Sequence, residues 1–109
     1  MALTPKRLYT GNDTASNVYS ASSLANSYSI IKTMSVCNTT TADKTVTIHI
    51  VPNSGTAGAN NMIMSNVVVP ANDTIYSNMV YVLNAGDAVY YDPEDANLTL
   101  VLTGVEYTP

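Results

Sequence analysis

Ser29-Ile30-Ile31-Lys32-Thr33-Met34-Ser35-Val36-Cys37, the polar break Thr39-Thr40-Thr41-Ala42-Asp43, and Lys44-Thr45-Val46-Thr47-Ile48-His49-Ile50-Val51 together decide how this chain folds. The second run alternates, with Val46, Ile48 and Ile50 on one side and Thr45, Thr47 and His49 on the other. Side chains on a strand alternate faces with period two, so this is a strand with one buried face and one wet face. A helix would need apolar residues about every 3.6 positions, and the β-branched Thr, Val and Ile suit a pleated surface better. Pro52 has no N–H to give to a ladder, so the second strand ends there. Read locally, residues 30–52 form a hairpin at the centre of an antiparallel sheet.

The same grammar extends in both directions. Upstream, Lys6-Arg7-Leu8-Tyr9-Thr10 and Asn17-Val18-Tyr19-Ser20 read as short strands around a turn at Gly11-Asn12-Asp13, and Ala21 to Ser27 reads as a polar loop. Downstream, Asn53 to Asn60 is a loop of small residues without the Gly-Lys-Ser/Thr ending of a phosphate loop. Met62-Ile63-Met64 and Val67-Val68-Val69 form one bent strand or two short ones, and Pro70-Ala71-Asn72-Asp73 is a turn. Thr74 to Leu83 is strand-like with an irregularity at Ser77-Asn78, and Asn84-Ala85-Gly86-Asp87 turns the chain into Ala88-Val89-Tyr90-Tyr91. After a turn at Asp92 to Ala96, the last strand puts Leu98, Leu100 and Leu102 on one face. Short strands with frequent turns and no helical apolar stripe predict an all-β, single-domain antiparallel β-sandwich, jelly-roll or Ig-like in topology. Residues 1–27 are expected to be an arm onto a neighbour or an edge segment of the domain that residues 28–109 form.

Composition narrows the function. With 109 residues there is one core, and 46% hydrophobic content excludes a disordered acidic chain. Only 11% of residues are charged, so Asn, Ser and Thr must cover the surface, and some of it is expected to be covered by other protein. A net charge of -4, with Lys6-Arg7 the one basic pair, argues against nucleic acid as a partner. Tyr occurs eight times while Phe and Trp are absent, which suits half-buried faces and subunit contacts. The single Cys37 cannot form an internal disulfide, and Met1 to Arg7 holds no apolar signal core, so synthesis in the cytoplasm is expected. No run reaches membrane-spanning length. The sequons at Asn12, Asn38, Asn72 and Asn97 follow from an Asn/Thr-rich composition.

Roughly from Leu8 to Glu106, the order of features resembles the small β-sandwich structural proteins of tailed-bacteriophage particles. The likeness rests on Ile30-Ile31-Lys32 leading to Cys37-Asn38-Thr39, on Val46 to Pro52, on Val69-Pro70-Ala71-Asn72-Asp73-Thr74, on Leu83-Asn84-Ala85-Gly86-Asp87, and on Leu102-Thr103-Gly104-Val105-Glu106. Each is a strand end with its turn, so no functional residue carries over. The resemblance implies a non-enzymatic virion protein, either a capsid decoration or cement protein on the head exterior or a tail, baseplate or fibre-attachment component. Its partners would be the major capsid protein or tail proteins and further copies of itself.

Candidate chemistry is sparse. His49 has no nucleophile and orienting carboxylate in a catalytic spacing, and reads as a surface or interface residue. Cys37 ends an apolar strand and reads as a small core residue. One His and one Cys make no zinc site, and no cofactor is expected. Asp92, Glu94 and Asp95, with Asp87 in addition, are the one acidic group that could hold Ca²⁺, but the spacing is not that of an EF-hand, and the favoured reading is a solvated turn without a metal. Tyr90-Tyr91 points one ring into the core and leaves the other for a partner, and the Tyr content would also suit a carbohydrate-binding module. Leu3, Leu8, Tyr9, Val18 and Tyr19 are the residues of the leading segment expected at an interface.

Overall fold

Almost every strand of this chain has an apolar side to bury, and the two sheets bury those sides against one another. The computed structural model describes residues 2–109. Its strands are β1 (Ala2–Gly11), β2 (Ser16–Ser20), β3 (Tyr28–Asn38), β4 (Lys44–Val51), β5 (Met62–Val69), β6 (Thr74–Ser77), β7 (Tyr81–Asn84), β8 (Ala88–Pro93) and β9 (Leu98–Thr108). One short 3-10 turn covers Ala59–Asn61. The first sheet has the order β1-β9-β3-β6, with β7 also on β3, and the second has the order β2-β8-β4-β5. All pairings are antiparallel.

β6 and β7 lie end to end along β3, opposite Met34–Cys37 and Tyr28–Ile31 respectively. They are one edge strand broken at residues 78–80, where the sequence predicts an irregularity. Counted so, the strand order is that of the jelly roll, a double Greek key of eight strands, and not that of an Ig domain. Residues 2–20 supply the edge strand of each sheet, β1 against β9 and β2 against β8.

The expected hairpin is not formed. β3 and β4 belong to different sheets, and residues 39–43 carry the chain across the sandwich. The reason lies in the apolar faces. Ile31, Met34 and Val36 on β3 and Val46 and Ile48 on β4 are at most 1% exposed, and they meet face to face in one core. Each strand is already flanked on both edges within its own sheet. Asn38, fully buried at the crossing, fixes the turn. Its amide nitrogen donates to the carbonyls of Ala42 and Val69, both at 2.9 Å. Its oxygen accepts from the Thr40 N–H at 2.9 Å and the Thr40 hydroxyl at 2.7 Å.

Leu98, Leu100 and Leu102 complete the core from β9, with Val89 and Tyr91 from β8. Burying each such side chain contributes about 1.5–3 kcal/mol. The Tyr91 hydroxyl is satisfied inside the core by donating to the Leu98 carbonyl, and burial pushes its pKa up. Gly104 is required where β9 passes β3, because a Cβ there would sit 1.9 Å from the Ile30 carbonyl oxygen.

Candidate functional site: the two outer faces

The outer face of the first sheet is apolar at one end. Strand register sets Leu3, Tyr107, Tyr28 and Asn84 in one row and Pro5, Val105, Ile30 and Val82 in the next. Tyr28 and Tyr107 stack with ring centroids 4.8 Å apart, while Leu3 is 62% and Val82 56% exposed. At the break between β6 and β7, Met79 and Val80 stand out into solvent, and Tyr76 beside them is 73% exposed. The charged side chains exposed on β1 and β3 are cations, Lys6, Arg7 and Lys32.

Five of the eight carboxylates gather elsewhere. Gly11 lies opposite Leu100, Asn38 opposite Leu98 and Cys37 opposite Thr74, so the loops after β1, β3, β5 and β8 share one end of the sandwich. Those loops hold Asp13, Asp43, Asp73, Glu94 and Asp95. The apolar rows lie at the other end.

At that other end a polar network ties the two sheets together. The Tyr19 hydroxyl on β2 donates to the Glu106 carboxylate on β9 and lies 2.7 Å from the Ser29 hydroxyl on β3. Lys6 Nζ on β1 is 3.0 Å from Glu106. The Tyr19 O–H, and then Lys6, hold the Glu106 carboxyl below its ordinary range. Burial, together with the bond to Glu106, pushes Tyr19 up to about 12.

The outer face of β4 is not wet, which corrects the expectation of a wet Thr face and a surface histidine: the loop of residues 52–61 covers His49, and Asn66 of β5 meets Thr47. Thr47 is 9% and His49 5% exposed. The Thr47 hydroxyl accepts from the Asn66 N–H at 3.1 Å. His49 Nδ1 lies 2.7 Å from Asn61 Oδ1 and 3.1 Å from the Gly58 carbonyl. Both are acceptors, because Asn61 Oδ1 also takes the Gly58 N–H at 3.0 Å while its amide nitrogen donates to the Thr56 carbonyl at 2.9 Å. Nδ1 therefore carries the proton and pins the loop of residues 52–61 onto the sheet. The ring of His49 meets that of Tyr90 edge to face, with centroids 5.6 Å apart. Between the pinned loop and β2 lies an open pocket of about 350 Å³, lined by Asn17, Val51, Gly55, Thr56, Ala57 and Tyr90.

Asp92, Glu94 and Asp95, the weak Ca²⁺ candidate, do not assemble with Asp87, and no cluster of three or more metal-ligating side chains exists among the described residues. Asp92 lies within β8 opposite Thr47, on the outer face, so the turn begins later than the sequence suggests. Glu94 turns back to accept the Thr45 N–H at 2.9 Å. Asp95 accepts from the Asn97 N–H at 2.8 Å and lies 3.7 Å from Lys44. Asp87 takes the N–H groups of Asn53 and Asn84, both at 2.9 Å, at the far end of the strands. Cys37 pairs with Thr74 and Thr99 and is half-buried, outside the core cluster, because its neighbours Val36 and Asn38 take the inward positions. Of the leading segment, Leu3 is exposed, whereas Leu8, Tyr9, Val18 and Tyr19 are half-buried against the core. The pocket residues Asn17, Thr56 and Ala57 gave no signal in the sequence, since only the fold brings them beside Tyr90.

Among the described residues no helix is long and apolar enough to cross a membrane. Comparison with protein-family models, with curated proteins and with solved structures finds no match to this chain.

Proposed function

We propose that this chain is a non-enzymatic structural protein of a tailed-bacteriophage particle, a decoration or cement protein on the outside of the head. It would be made in the host cytoplasm and would work as a closed homo-oligomer seated on the capsid protein. The observation that carries the reading is the apolar outer face of the first sheet. Its rows run from Leu3 and Pro5 to Val82 with no carboxylate among them. Exposed apolar patches of more than a few hundred Å² are uncommon on monomers and mark contact surfaces. A closed assembly would bury the rows between copies. The stacked Tyr28 and Tyr107 supply rigid, flat contact area of the kind that dominates interfaces. The jelly roll itself, frequent in capsid proteins, is compatible with the role but also serves lectins.

Electron microscopy of phage particles with the chain labelled tests this directly. Label spread over the head exterior is the expected result. Label confined to the tail or baseplate would move the chain to the tail components, and particles without label would refute a virion role.

A further inference from the structure

The pocket on the outer face of the second sheet lies on the opposite side of the sandwich from the apolar rows, and the particle role does not use it. Strand register builds its floor. Asn17, Tyr90, His49 and Met62 form one row across β2, β8, β4 and β5, so Asn17 and Tyr90 are direct cross-strand neighbours on the outer face. The loop wall of Gly55, Thr56 and Ala57 stands over Val51 on the other side. That wall is held in place. His49 and Asn61 bond to each other and to Gly58 and Thr56, and the Gly55 N–H donates to the Pro52 carbonyl at 2.8 Å. A loop pinned by a buried histidine does not have to be ordered by a ligand, which lowers the cost of binding.

The lining chemistry selects a ligand class. No lining residue is charged, so nothing there recognises a phosphate, a carboxylate or an ammonium group. The Asn17 amide, the Thr56 hydroxyl and the Tyr90 hydroxyl take part in none of the side-chain hydrogen bonds of the described residues. All three residues line the pocket, and the half-exposed ring of Tyr90 meets His49 edge to face. A volume of about 350 Å³ is at the small end of ligand pockets, which run from roughly 300 to 1,000 Å³. We infer that this pocket binds one neutral sugar ring of a glycan. The C–H face of the ring would lie on Tyr90, and its hydroxyls would be met by Asn17 and Thr56. An apolar platform with neutral donors and acceptors around it suits a neutral polyhydroxyl ring, which carries both kinds of surface.

The full chain on an array of neutral and sialylated glycans, followed by titration with the free hexoses and N-acetylhexosamines that it selects, tests this inference. Neutral glycans are expected to be retained. Tyr90→Ala and Asn17→Ala should each weaken binding by about tenfold or more, corresponding to loss of one stacking or hydrogen-bonding contact. Tyr76→Ala, which removes an exposed ring from the other sheet, should leave binding unchanged, and thermal melts of all three variants check that each remains folded. Absence of binding to any neutral glycan, a preference for sialylated ones, or binding that survives Tyr90→Ala in a folded protein would overturn the inference. None of these results bears on the particle role, which rests on the other face.

Discussion

Replacing Asn38 by Ala should cost about 3 kcal/mol. Asn38 is fully buried where β3 leaves the first sheet, and its side chain makes four hydrogen bonds, to Ala42, Val69 and twice to Thr40. Truncation strands the buried Val69 carbonyl, for which the penalty is about 1–3 kcal/mol. The other three bonds are part-buried, and water can replace them in part, so each is worth no more than about 1 kcal/mol. For a domain whose whole stability is about 5–15 kcal/mol, this is a large fraction. Asn38→Asp sharpens the argument. At neutral pH a carboxylate would face the two carbonyl oxygens that the amide nitrogen serves, so this variant should be at least as damaged as Asn38→Ala. Burial and those carbonyls raise the pKa of the new carboxyl in the folded state above its unfolded value. The damage is therefore greatest above the folded pKa and fades as pH falls towards the unfolded value, because the protonated acid can again donate. Urea unfolding of both variants at neutral and mildly acidic pH measures the effect. An Asn38→Ala variant within about 0.5 kcal/mol of the parent, or an Asn38→Asp variant with no recovery on acidification, would refute the role given to this crossing.

Other substitutions probe separate parts of the argument. Gly104→Ala drives a Cβ to 1.9 Å from the Ile30 carbonyl oxygen, so it should destabilise by about 3 kcal/mol in thermal melts; Gly58→Ala, whose Cβ would meet only Asn60 at 3.5 Å, should be nearly neutral. Tyr19 is neutral in the folded state up to about 12, against 10.0 for the free group, so its contribution is complete below pH 10 and lost as pH rises through the folded value. Tyr19→Phe should flatten that alkaline limb of stability. Glu106 behaves in the opposite sense: its depressed pKa gives stability that is present above the ordinary carboxylate value and lost as pH falls through the folded one, a dependence that Glu106→Gln should remove. Val82→Lys, at a position 56% exposed in the single chain, should leave the melt unchanged but reduce the mass measured by light scattering towards 11.6 kDa. An unchanged oligomer, or a parent protein that is itself monomeric, would count against the apolar rows as an interface.

Strand faces were legible because period-two alternation survives any tertiary arrangement. Leu98, Leu100 and Leu102 point inward as their spacing implies, and the irregularity at Ser77-Asn78 falls where the edge strand breaks. Pairing was not legible. The run Thr39 to Asp43 has the polarity of a hairpin turn and equally of a crossing between sheets, and only the competition of β9 and β8 for the edges of β3 and β4 decides between them. The outer face of β4 was misread for a related reason. Alternation shows that Thr47 and His49 lie opposite the core, but not that Asn66 of the next strand meets Thr47 and that a loop of Gly, Ala and Asn residues folds back over His49. The acidic turn residues do not come together because neighbours in sequence diverge in space: Asp92 stays on the sheet, Glu94 accepts from the Thr45 N–H on β4, and Asp95 from the nearby Asn97 N–H.

The gathering of Asp13, Asp43, Asp73, Glu94 and Asp95 in the loops at one end of the strands gives the molecule a heading. The chain measures 46 × 27 × 20 Å, while charge is felt only about 8 Å into physiological saline. A second copy would therefore meet either a repelling acidic end or the opposite end, where Lys6 offsets Glu106 and far less negative charge is left. Such an asymmetry turns a diffusing molecule before contact, bringing Leu3, Tyr28 and Tyr107 forward and holding the acidic loops away. The bias acts on the rate of arrival, and because the chain carries a net charge of -4, raising salt should speed the approach of two copies while weakening its orientation, without loosening what has already docked.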